Sequence, residues 1–245
     1  SLPIALGIAL LVVIVASSYW QTIHAYPSGG GAYIVAKDNL GNLPGLVAGA
    51  ALLIDYVLTV AVSIAAGVAA ITSAFPPLFP WRVTLGVLCV LGITVANLRG
   101  VRESGRLFAV PTYWFIGSLV LLILAGFFRI LTGTARPLPP EELQATHTVS
   151  LFLIMRAFSS GCAALTGTEA VSNGIPAFRP PESRNAGIVL AWMATILAST
   201  FLGITYLAHV YRLVPHETET LVSILARQIF GENLFYYNIQ AATAM

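Results

Sequence analysis

Long apolar runs separated by short polar connections organise this chain. About 20 consecutive apolar residues in a helix cross the core of a bilayer, and several runs reach that length. The first, 2–20, carries no charge and ends in Tyr19-Trp20, a pair suited to the membrane–water interface. The second, 43–75, has Asp55 as its only charge. It is long enough to tilt strongly or to project beyond the bilayer, and Pro76, Pro77 and Pro80 end it. A short span follows at 83–98, between Arg82 and Arg99, and an uncharged one at 107–128. The connection 132–148 is polar and holds Pro137, Pro139, Pro140, Glu141 and Glu142. A fifth span, 150–175, carries Arg156 and Glu169, and a sixth, 188–211, carries only His209. A polar stretch then precedes a short helix at 221–230, and a partial span begins at 233.

Composition turns this pattern into a class. The chain is 57% hydrophobic and 9% charged, with mean hydropathy +0.84, whereas soluble domains are about 25% charged. The expected fold is an all-α membrane protein with one transmembrane domain over 1–245, and its first partner is the lipid bilayer. A net charge of +2 gives no basis for nucleic-acid binding. Cys89 and Cys162 both lie in apolar runs, so neither a zinc site nor a structural disulfide is expected. No basic segment precedes the first run, which argues against a signal peptide. The chain opens at Ser1 and stops inside an apolar segment at Met245, and reads as a piece of a longer protein.

Orientation follows weakly from charge. Lys37, Arg99, Arg102, Arg106, Arg179 and Arg184 fall on one side, and Arg82, Arg129, Arg136, Arg212 and Arg227 on the other. The compact cluster Arg99, Arg102 and Arg106 assigns its side to the cytoplasm.

Within the apolar runs the carboxylates stand out, because an intramembrane charge is costly and marks a pathway or site. Glu169 lies between Gly161, Gly167 and Gly174 in the run Leu165-Thr166-Gly167-Thr168-Glu169-Ala170. Thr166 lies three residues before it, on one face if the segment is helical, and Gly167 between them lowers helix propensity. A locally open segment would free backbone oxygens to join a site. In the second span Tyr56, Thr59 and Ser63 share one face, Asp55 flanks it, and Gly67 continues it as a surface for close packing. Three hydroxyls in a row supply hard oxygen ligands for a desolvated cation, or hydrogen bonds to a polar solute. The plainer reading of such hydroxyls is interhelical or backbone bonding, and a buried Glu can serve as a structural hydrogen-bonder. The two carboxylates tip the balance toward a site. Arg156 reads as a snorkelling side chain and His209 as a core or interfacial histidine. The glycines at 29–31 lack the Gly-Lys-Ser/Thr ending of a phosphate loop. No nucleophile–base arrangement is visible, so an enzyme is not expected.

Pro27-Ser28-Gly29-Gly30-Gly31-Ala32-Tyr33, after a first span and before a long second one, resembles the signature of the amino acid–polyamine–organocation (APC) superfamily. Gly167-Thr168-Glu169-Ala170-Val171-Ser172, with Pro176 and Arg184-Asn185 after it, is similar to that superfamily's helix 6 and its exit. The longer strings from Tyr19 to Tyr26 and from Ser172 to Glu182 resemble its KimA-type potassium importers. The resemblance implies a fragment of a LeuT-fold transporter, a 5+5 inverted repeat with helices 1 and 6 broken at the midplane. The spans then correspond to helices 2 to 7 and the start of 8, the loop 99–106 is cytoplasmic, and 221–230 is the outer lid helix. It further implies a cation site with Tyr56, Thr59 and Ser63 from helix 3 and Thr166 and Glu169 from helix 6. The other half of that site, an Asp and a Tyr of helix 1, would lie upstream of Ser1. Helix 10 and a nucleotide-sensing domain would also lie outside this stretch.

The expected activity is proton-coupled potassium uptake by alternating access, at the plasma membrane of a prokaryote. Glu169 is the first candidate for proton coupling and Asp55 the second. K+ and H+ are cargo, with no resident cofactor and no metal beyond the transported potassium, and the reading allows a homodimer. The alternatives are an amino acid or amine permease of the same superfamily and a membrane sensor that binds a solute without moving it.

Overall fold

A computed structural model describes residues 2–98, 104–138, 150–214, 216 and 218–245. Arg99, Arg102, Glu141 and Glu142 lie outside the described residues, as does the side chain of Arg106. The described residues form ten α-helices and no strand. These are α1 (Leu2–Ala25), α2 (Gly31–Leu40), α3 (Asn42–Ala74), α4 (Arg82–Leu98), α5 (Ser104–Leu131), α6 (Leu151–Gly161), α7 (Glu169–Asn173), α8 (Glu182–Val210), α9 (Leu221–Phe230) and α10 (Leu234–Ala244). Among the described residues five helical spans are long and apolar enough to cross a membrane: Leu2–Ala25, Asn42–Ala74, Pro76–Val95, Ala109–Leu131 and Glu182–Val210.

Their outward faces are those of lipid-facing helices. Leu53, Val83 and Val110 are each about 70% exposed, at 69%, 72% and 69%, which water would penalise and hydrocarbon does not. Hydroxyls on these helices bond back to their own carbonyls, as Ser17 does to Val13 (2.7 Å), Thr94 to Val90 (2.8 Å) and Thr195 to Ala191 (2.8 Å). That is how a polar side chain is satisfied where no water is available. The same device carries α1 beyond Trp20: Thr22 bonds to Ser18 and His24 to Trp20.

The chain divides into two compact units, with α3 and α8 each passing from one into the other. The first comprises Ser1–Val60 and Gln144–Leu202. In it α1 packs on α6 and α7, and α2 packs on α7. Its core gathers Ile23, Val171, Ile175, Ala186 and Leu190, with Tyr19 and Phe178 against them. Small residues allow the close approaches: a Cβ on Gly161 would overlap Ile8, and one on Gly187 would lie 3.0 Å from the Trp20 ring.

The second unit comprises Ala61–Leu143 and Gly203–Met245. Here α5, α9, α10 and the end of α8 enclose Leu122, Leu207, Tyr211, Leu225, Ile229, Tyr236 and Ile239. A Cβ on Gly126 would sit 2.7 Å from Leu207, so glycine is what lets these helices meet. Polar residues add fixed points. Trp114 Nε1 donates to Asn238 Oδ1 (3.0 Å), and Asn238 Nδ2 donates to Ser118 Oγ (3.2 Å). The short helix α9 starts on a Thr220 cap, whose hydroxyl accepts the Ser223 N–H. Gly67, on the face of α3 noted above, packs against the end of α10, where an added Cβ would lie 3.0 Å from the Ala244 carbonyl.

Candidate cation site

The site is made where the fifth apolar run stops being a helix. α6 ends at Gly161, a 3₁₀ turn covers Cys162–Leu165, and Thr166 is extended, with φ −59° and ψ 137°. Gly167 then turns at φ +88°, a region open to glycine and strained for other residues. α7 starts at Glu169. Thr166 and Glu169 are therefore not neighbours on one continuous helical face, as their spacing implies. The reversal at Gly167 brings them together instead, and both line one cavity of about 460 Å³.

The same cavity is lined by Asp55 of α3, Tyr19 of α1, Thr168 and Cys162. Asp55 and Glu169 face this one cavity from α3 and α7. Glu169 is buried, 7% exposed, and its Oε1 accepts the Gly167 N–H at 3.2 Å. No Lys, Arg or His among the described residues lines this space. The hydroxyl protons of both threonines are already committed: Thr166 Oγ1 donates to the Ala163 carbonyl and Thr168 Oγ1 to the Leu165 carbonyl, each at 2.8 Å. A hydroxyl whose proton is spent has only lone pairs left to offer. The cavity thus presents two carboxyls and oxygen acceptors, which suits a cation and repels an anion.

The other residues singled out from the sequence fall around this cavity in different ways. Tyr56, on α3 next to Asp55, accepts a hydrogen bond on its hydroxyl from Asn173 Nδ2, at the end of α7. Thr59 is one turn beyond Asp55, and its Oγ1 is buried with no hydrogen-bond partner among the described residues. Ser63 belongs to the second unit, where it is exposed and lines a different cavity with Gly67 and Thr243. The structure therefore brings together Asp55, Thr166 and Glu169 and ties Tyr56 to α7. It does not place Ser63 with them.

Three residues of this region are not marked by the sequence pattern. Thr168 is one, because only the helix break shows that its hydroxyl proton is spent on a carbonyl. Tyr19 pairs with Trp20 as an interfacial residue in the sequence, yet it is half-buried and lines the Glu169 cavity. Its signal is periodicity: it continues the inward stripe of Ala5, Ile8, Val12 and Ile23. Asn173 has no such signal, since an Asn near a helix end is ordinary.

The family model described as amino acid permease matches residues 1–244. The chain belongs to the amino acid permease family. It is 50% identical over 253 residues to the "Potassium transporter KimA" of Bacillus subtilis, an alignment covering 100% of this chain and 41% of that protein. It is 30% identical over 149 residues to the "Probable potassium transport system protein Kup 1" of Ralstonia nicotianae, covering 58% of this chain and 23% of that protein. This permease chain spans about two fifths of the length of the first relative and less of the second. The described residues are all-helical, consistent with the LeuT fold, and the apolar helices and bacterial relatives make this a multi-pass plasma-membrane protein of prokaryotic origin.

Proposed function

We propose that this chain holds the cation-handling half of a secondary transporter that takes up potassium coupled to the movement of protons through the same carboxyls. The observation that carries the reading is the composition of one cavity: Asp55, Glu169 and two threonines with spent donors, and no basic side chain among the described lining residues. Such a lining replaces part of the hydration shell of a cation, while its two carboxyls and lack of a basic side chain among the described lining residues disfavour the carboxylate of an amino acid. The names of the two relatives, both potassium transport proteins, point the same way. Two carboxyls lining one cavity need positive charge near them to offset their repulsion. Either a shared proton or a cation meets that need. In this proposal a proton and the cation compete for the same carboxyl oxygens, which supplies coupling without a further device. The full-length protein is read as a transporter, not an enzyme, and assembly as a homodimer belongs to the same proposal.

The test is rubidium uptake by the full-length protein in cells deficient in potassium uptake. Glu169→Gln keeps the shape and removes the charge; uptake should fall at least about tenfold, the scale of one lost charged contact, and its dependence on external pH should flatten. Unchanged uptake with an unchanged pH profile would overturn the assignment. A second reading rests on one specific observation. A cavity of about 460 Å³ is roomier than a bare ion needs, so an organic amine could also enter it. Competition for rubidium uptake by simple amines, with amino acids as a control, separates the two.

A further inference from the structure

Asn173 meets three parts of the first unit at once. Its backbone carbonyl accepts the Gly30 N–H at 3.3 Å. Its Nδ2 donates to the Tyr56 hydroxyl. Its Oδ1 is buried, has no hydrogen-bond partner among the described residues, and occupies the space a Cβ on Gly31 would take. The glycine turn is shaped around this residue. Gly29, Gly30 and Gly31 have φ of +79°, +93° and +45°, values that side chains rarely adopt. A Cβ on Gly29 would lie 2.8 Å from the Asn173 carbonyl oxygen and 2.9 Å from Pro176. Asn173 also ends the short helix that Glu169 begins, and Tyr56 adjoins Asp55. A single residue thus connects the turn between α1 and α2, the half-helix carrying Glu169, and the α3 face of Tyr56, which Asp55 flanks.

We infer that Asn173 is a positioning residue: it clamps the 29–31 turn to α7 and fixes the Tyr56 hydroxyl against the end of that half-helix, so that the turn and the half-helix carrying Glu169 move as one body. Accepting from Asn173 occupies part of the Tyr56 oxygen and sets the direction in which its remaining lone pair and proton point. A site holding a desolvated cation depends on such fixed oxygens. This rests on the cation reading above for its transport consequence, while the clamp itself is a matter of packing and hydrogen bonding.

Two double-mutant cycles on the full-length protein test the two parts separately. The first measures the thermal midpoint in detergent, with no cargo involved. Gly31→Ala should lower the midpoint, and should lower it clearly less in an Asn173→Ala background, where the overlapping oxygen is gone. An equal loss in both backgrounds refutes the clamp. The second measures the rubidium concentration for half-maximal uptake. Asn173→Ala and Asn173→Asp should each raise it about tenfold, the scale of one hydrogen bond. Tyr56→Phe should add nothing further to Asn173→Ala. Multiplying effects, or a lower maximal rate with unchanged half-saturation, refutes the positioning role. If the unmodified protein carries no rubidium, the cation reading falls, and the first cycle alone decides the clamp.

Discussion

Thr59 separates a ligand from a structural hydroxyl most cleanly. A buried hydroxyl without a partner costs about 1–3 kcal/mol in desolvation, and Thr59 Oγ1 has none among the described residues. If it serves only the fold, Thr59→Val is neutral or stabilising. If it waits for cargo, the same change leaves the thermal midpoint of the ligand-free protein unchanged or higher and raises half-saturation for rubidium several-fold. Measuring both on one preparation distinguishes the cases; unaltered uptake removes Thr59 from the site. At this scale the sequence is informative where chemistry is rare. Asp55 and Glu169 are legible because a carboxylate in an apolar run is too costly to be incidental. Asn173 is not, because amide side chains are common at helix ends and only tertiary contacts reveal their direction, and Tyr19 is marked by periodicity alone. Ser63 shows the converse: helical spacing puts it on the face of Tyr56 and Thr59, but spacing says nothing of where along a 33-residue helix a site stops.

At the scale of elements, the break in the fifth apolar run decides the geometry. Glycines at 161, 167 and 174 announce weak helix, and the apolar length of each run announces the spans. What cannot be read is the path: a 3₁₀ turn, an extended Thr166 and a left-handed Gly167 in succession. Those dihedrals accompany the packing of α1 on Gly161 and the hydroxyl bonds of Thr166 and Thr168 to the Ala163 and Leu165 carbonyls, all of them tertiary or strictly local events. Gly167 is the position most exposed to a test. A Cβ there meets nothing within 4 Å, so the cost of Gly167→Ala is conformational alone, about 1–2 kcal/mol for a left-handed residue. The expected result is a lower thermal midpoint together with weakened rubidium binding, because straightening the turn separates Thr166 from Glu169. Gly167→Asn, which tolerates the left-handed region better, should recover part of both. Equal damage from Ala and Asn would argue against backbone strain as the cause.

At the scale of the whole molecule, the two units hold their polar groups for different ends. The first gathers carboxyls around empty space. The second spends its polar groups on one another. Tyr236, buried, takes hydrogen bonds on its hydroxyl from Arg227 (3.3 Å) and Gln240 (3.1 Å), shares one with Ser223 (2.9 Å), and lies 3.2 Å from the Ser73 carbonyl it donates to. Ser73 Oγ in turn accepts the Thr220 N–H, so α9 is fastened to the end of α3. Arg227 pairs with Glu219 at 2.9 Å and Glu232 at 3.1 Å. Burial works against its charge, but the Tyr236 hydrogen bond and the carboxylates outweigh it and hold the guanidinium above its ordinary range. Two of its members, Ser223 and Arg227, lie in the segment that the resemblance assigns to the outer lid, and nothing in the apolar pattern discloses the network, since its members are scattered from Ser73 to Gln240. Tyr236→Phe deletes its hub while keeping the ring. Stranding buried partners costs about 1–3 kcal/mol, and a kcal/mol moves the midpoint of a chain this size by about 2–4 °C. The full-length variant should therefore melt several degrees lower. Tyr236 does not line the Glu169 cavity, so half-saturation for rubidium should stay at the unmodified value. A shift in half-saturation at unchanged stability would mean that the α9 network belongs to ion recognition rather than to the scaffold.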